Sequence, residues 1–122
     1  MNRNMPDNMY ILDLAVHKYE TFVKVFALES GSGSIITLFD GSAKAEIRET
    51  PESTSLIAAF LCTVNAAAGT ITLELPSSVT RTLTPGEYCY DVALTMFDER
   101  RSVERRQYLV GGKFTVLPSV TH

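Results

Sequence analysis

Residues 70–75, Thr-Ile-Thr-Leu-Glu-Leu, alternate polar and apolar side chains without exception. Successive side chains of a strand point to opposite faces, so a period of two dictates a half-buried β-strand and excludes a helical stripe. Residues 87–97 repeat the pattern: Tyr88, Tyr90, Val92 and Leu94 share one face, and Cys89, Asp91, Ala93 and Thr95 the other. A sheet with one apolar face must bury it against another layer, and the absence of helical periodicity elsewhere makes that layer a second sheet.

The remaining strands are short and separated by Gly, Ser, Pro and Asn, the spacing of an all-β sandwich. Met9 to Val16 places Leu12, Leu14 and Val16 on one face and Asp13 on the other, whereas Thr21 to Leu28 is apolar on both faces except for Lys24. Ser30 to Ser34 alternates Ser with Gly and predicts a loop, because glycine resists ordering and serine competes for local hydrogen bonds. Ile35 to Phe39, a tight turn at Asp40-Gly41, and Ala43 to Glu49 follow, with Ala45 and Ile47 inward and Lys44, Glu46 and Arg48 outward. Ser55 to Val64 is a long apolar run in which Phe60, Cys62 and Val64 share a face. Alanines at 58 and 59 leave a helical alternative there, and the β-branched residues with a turn after them favour strand. Pro76 to Leu83 predicts one helical turn, with Val79 and Leu83 on the same side. Val103 to Leu117 predicts one long strand or two short ones, the Gly111-Gly112 pair marking a bulge or bend.

The expected fold is therefore all-β, an antiparallel β-sandwich of about eight strands. The 122 residues match a single domain. The expected division is an N-terminal arm over 1–8, the sandwich over 9–118 and a tail over 119–122.

Composition narrows function. At 45% hydrophobic and 20% charged, the chain can bury a core without staples. A net charge of −3 gives no attraction to nucleic acid or an anionic membrane, and protein partners are the expectation. Residues 1–8 lack the apolar segment of a secretory signal, and no run approaches a bilayer span, so synthesis in a cytoplasm and a soluble product are expected. Cys62 and Cys89 are expected to stay reduced, since the inward parity of one and the outward parity of the other oppose a disulfide.

No constellation for catalysis emerges. His17 ends a strand in the turn His17-Lys18 and His122 is the final residue, and neither sits in a nucleophile motif. Cys62 and Cys89 lack the close spacing of zinc ligands, and the glycines match no phosphate loop, so neither metal nor cofactor is expected. A glycosidase needs only two carboxylates in a cleft, and an enzyme would declare itself by such a pair. The one basic concentration is Arg100, Arg101, Arg105 and Arg106, offset by Asp98, Glu99 and Glu104. Mixed charge of this kind predicts a solvated hairpin tip. Arginine and the nearby Tyr108 are also favoured at interfaces, which makes these five residues the candidate partner contact.

From Leu38 onward the order of features resembles small tail-module and baseplate proteins of tailed phages. The N-terminal domain of upper baseplate proteins from siphophages of Gram-positive hosts is among them. The matching residues are Leu38-x-x-Gly41, Ala45-x-Ile47-Arg48, Leu56 to Phe60, Gly69-x-Ile71-x-Leu73-x-Leu75, Thr80-x-x-Leu83-x-x-Gly86-x-Tyr88-x-Tyr90-Asp91-Val92 and Gly111-Gly112-x-Phe114-x-Val116. The resemblance implies an Ig-like or jelly-roll-like sandwich that docks on other virion proteins, as a homo-oligomer within the particle and without catalysis. Localisation in the virion, after assembly in the host cytoplasm, follows from the same resemblance. The rival expectation is a soluble carbohydrate- or host-factor-binding module, whose exposed aromatic patch would come from Phe22, Phe26 or Tyr108.

Overall fold

The structure, a computed structural model, describes residues 10–27, 42–65, 67–98 and 103–121, with backbone alone for 96–98 and 103–105. In chain order these residues form β1 (Tyr10–Ile11), β2 (Leu14–His17), β3 (Phe22–Ala27), β4 (Ser42–Arg48), β5 (Ala58–Ala59), β6 (Leu61–Asn65), β7 (Thr70–Leu75), α1 (Ser77–Thr80), β8 (Gly86–Asp98) and β9 (Val103–Leu117). The expected arm, the Ser/Gly loop, the 35–39 strand, the turn at 40–41 and His122 lie outside the described residues.

Two sheets face each other. The smaller has the order β3-β7-β6, and the larger the order β5-β4-β8-β9, with β1 and β2 both parallel along the outer side of β9. All other pairings among the described residues are antiparallel. The described strands, crossing between the sheets in this order, make an all-β sandwich. Tyr88 supplies its corner: at the start of β8 its hydroxyl donates to the Thr84 carbonyl at 2.5 Å, bracing the turn that leads out of α1. The Thr80 hydroxyl donates to the Glu20 carbonyl at 2.9 Å and ties α1 to the turn between β2 and β3.

Alternation fills the space between the sheets as expected. Ala45 and Ile47 of β4, Ile71, Leu73 and Leu75 of β7, and Tyr90, Val92 and Leu94 of β8 are all buried. At the centre Phe114 meets Phe22 and Phe60 edge-on, each at 5.5 Å between ring centroids, and Phe60 meets Tyr90 at 6.1 Å. Such ring pairs add about 0.5–1.5 kcal/mol each beyond the area they bury.

Three local expectations are corrected. Ser55 to Val64 is two strands: β5 pairs with β4, the Phe60 N–H bonds the Ala45 carbonyl at 3.0 Å, and β6 then pairs with β7 in the other sheet. The chain changes sheets where Phe60 drops its ring into the gap, and a period of two does not encode that change. Met9 to Val16 is also interrupted, at Leu12–Asp13, although the register against β9 is the same on both sides of the break. There the Leu12 carbonyl accepts from the Tyr90 hydroxyl at 2.6 Å, and the Asp13 carboxylate accepts the Lys113 N–H at 3.0 Å.

The bulge in β9 is at Leu109 rather than at the glycine pair. Val92 pairs with Val110 and Ala93 with Tyr108, which leaves Leu109 over. Gly112 serves close approach instead: a Cβ there would stand 2.6 Å from the Leu12 oxygen and 2.8 Å from Asp13 Oδ1. The bulge has a consequence for the surface, because it turns Tyr108 outward while Val110, two residues on, points into the core.

Candidate functional site

The outer face of the larger sheet carries an open depression of about 760 Å³. Register places its residues in rows across the strands. Arg48, Cys89, Lys113 and Asp13 form one row, Glu46, Asp91, Gly111 and Ile11 the next, and Lys44, Ala93 and Tyr108 a third, with Arg106 opposite Thr95 beyond it. Gly111 brings no side chain and Ala93 only a methyl, so the middle of the face sinks between longer neighbours.

The charges are unevenly paired. Glu46 Oε1 takes Arg48 at 2.7 Å and Oε2 takes Lys44 at 3.4 Å, and the Arg48 hydrogen bond is the main reason its carboxyl lies below the ordinary range. Arg48 also donates to the Ser53 carbonyl at 3.4 Å, holding the loop after β4. Asp91 keeps contact with solvent, yet the walls of the depression withdraw enough water to push its pKa up, and Glu46 directly opposite adds to the rise. Tyr90, beneath, is pushed up to about 12 by burial and then by Asp13.

Glu46 and Asp91 are thus the neighbouring carboxylates that hydrolytic chemistry would require. Both Glu46 oxygens are engaged by cations, and the pair lies on an open sheet face.

The two thiols stand apart as expected. Cys62 points between the sheets from β6 and Cys89 outward from β8, both are free, and burial raises both thiol pKa values. The Cys89 S–H donates to the Arg48 carbonyl at 3.3 Å. His17 ends β2 exposed, and its own N–H donates to Glu20 Oε1 at 3.0 Å across the turn. Among the described residues no group of three His, Cys, Asp or Glu side chains is placed to hold a metal ion. Among them, too, no helix is long and apolar enough to cross a membrane.

Of the five candidate contact residues, Arg106 and Tyr108 reach the rim of the depression. Arg105 lies in β9 opposite Met96 with its side chain outside the described set, and Arg100 and Arg101 lie outside the described residues altogether. The sequence reading missed Lys44, Glu46, Arg48, Asp91 and Lys113 as one surface. Their outward parity was legible, but the register that aligns them was not. Comparison with protein-family models returns no match, and neither does comparison with curated proteins.

Proposed function

We propose that this chain is a non-enzymatic structural protein of a tailed-phage virion, a β-sandwich module that docks on tail, baseplate, neck or capsid. The observation that carries the reading is the outer face of the larger sheet, where the Leu109 bulge turns Tyr108 outward beside Arg106 and a hollow flanked by both signs of charge. Arg and Tyr at the edge of a depression are the residue types that dominate protein interfaces, and the mixed charges supply register rather than bulk affinity. The sequence resemblance to tail and baseplate modules supplies the setting.

Mass spectrometry of purified particles tests it. The chain is expected at a fixed copy number per particle, and Arg106→Ala with Tyr108→Ala is expected to lower its incorporation. A chain missing from every assembled particle defeats the reading. The glycan-binding alternative is favoured by one feature, the exposed Tyr108 lining the same depression as Glu46 and Asp91, whereas Phe22 is buried and Phe26 packs against the core. Glycan-array binding that Tyr108→Ala abolishes would support that alternative.

A further inference from the structure

The two sheets end in strand edges of unequal character. On the larger sheet, β5 is two residues long, and the β1–β2 edge is broken at Leu12–Asp13. On the smaller sheet, β3 carries the exposed Lys24 near its middle, on the parity of the inward-facing Phe22 and Phe26. An inward-parity charge on an edge strand is a device by which natural sheets discourage strand addition. The opposite edge, β6, reads Leu61-Cys62-Thr63-Val64-Asn65 and has no charge, no proline and no bulge.

Among the described residues, β6 is bonded on one side only. It pairs with β7 through all five of its residues, and among the described residues no backbone hydrogen bond reaches it from the other side. The unpaired N–H and C=O groups on that side form a template for one kind of occupant, an extended backbone. Around them the described outer face of the sheet is apolar or uncharged except for Glu74. Leu61 is 60% exposed, Val23 56% and Val25 55%, with Thr63, Thr70 and Thr72 between them and Glu74 the one acid.

We propose that β6 pairs antiparallel with β6 of a second copy of this chain, about a two-fold axis through Thr63. The proposal rests on the docking reading above and names one partner for it. Centring on Thr63 keeps the faces in phase: Cys62 stands opposite Val64 of the other copy on the inward side, and Leu61 opposite Asn65 on the outer side. Thr63 meets its own equivalent, and threonine pairs are favourable across strands. Charge permits the contact although each copy carries a net −3. With strands about 4.8 Å apart and residues about 3.3 Å apart, the two Glu74 positions fall about 20 Å from each other, roughly twice the Debye length at physiological salt. A self-pairing of β3 about its middle would instead set two Lys24 side chains face to face.

Sedimentation of the full chain at about 100 µM tests the proposal, since a dimer of micromolar affinity is populated there. The expected species is twice the 13.5 kDa monomer. Thr63→Lys, at an exposed position, is expected to weaken the dimer roughly tenfold or more with an unchanged circular dichroism spectrum, while Val25→Lys on the far edge leaves it intact. Thr63→Cys in a Cys62→Ser, Cys89→Ser background is expected to form an intermolecular disulfide under mild oxidation. Residues directly opposite across the axis have Cα atoms about 4.5–5.5 Å apart, inside the disulfide range. Ser78→Cys in the same background, remote from the edge, is expected to cross-link far more slowly. A monomer at that concentration, or a dimer that Thr63→Lys spares and Val25→Lys breaks, overturns the proposal. Neither outcome touches incorporation into particles, and absence from particles leaves the dimer untouched, so the two readings fail separately.

Discussion

At the scale of single residues, the junction of Tyr90, Leu12, Asp13 and Gly112 determines whether β1 and β2 stay on the larger sheet. The Tyr90 hydroxyl satisfies a half-buried carbonyl at 2.6 Å. Tyr90→Phe leaves that carbonyl without its donor, at an expected cost of about 1–3 kcal/mol in urea denaturation. Ionising Tyr90 costs stability in the same place. Its folded pKa is pushed up to about 12 from an ordinary value of 10.0, so the contribution is complete below pH 10 and is lost as pH rises through 12. The wild-type stability curve is expected to fall across that window more steeply than that of Tyr90→Phe, and equal slopes would count against the assignment. Gly112→Ala tests the neighbouring contact. Its methyl would overlap the Leu12 oxygen, and an expected loss of about 1–3 kcal/mol should come with faster amide exchange over residues 10–17.

At the scale of elements, what the sequence made legible depended on whether one strand alone carries the information. The alternation of Thr70–Leu75 and of Glu87–Thr95 assigns the core-facing side correctly, because burial acts on each side chain separately. The hop of the 58–65 run at Phe60, and the bulge that turns Tyr108 outward, arise from pairing between strands and leave no periodic trace. The candidate site was half visible for the same reason: Arg106 and Tyr108 stood out by type, but the row that sets Glu46 against Asp91 exists only through register. That row makes a signed prediction. Asp91 has a raised pKa, so its ionised form opposes folding above that pKa. Asp91→Asn is expected to stabilise at pH 7 by a few tenths of a kcal/mol, the scale of an exposed cross-strand pair, and to gain nothing at pH 3. Glu46 has a lowered pKa, and its contribution is present above its ordinary 4.5 and lost as pH falls through the folded value. Glu46→Gln should therefore destabilise at pH 7, with a difference that shrinks in acid. Thermal melts at the two pH values read both signs.

At the scale of the whole molecule, the two sheets are held to each other by one aromatic cluster instead of the disulfide that many immunoglobulin-like domains place between them. The residue two beyond the corner tyrosine, where that fold often has its second cysteine, is here Tyr90. Phe114 of the larger sheet is fully buried and meets Phe22 of the smaller sheet and Phe60, the residue where the chain changes sheets. Removing it withdraws support from both layers at once. Phe114→Ala is expected to cost about 3–5 kcal/mol, a large share of the roughly 5–15 kcal/mol available to a domain. Because the lost contacts belong to both sheets, unfolding should remain a single transition, with tyrosine fluorescence and far-ultraviolet circular dichroism moving together at a lower denaturant midpoint. A variant that lost one sheet before the other would mean that the sheets are stabilised separately, and the central role given to Phe114 would fail.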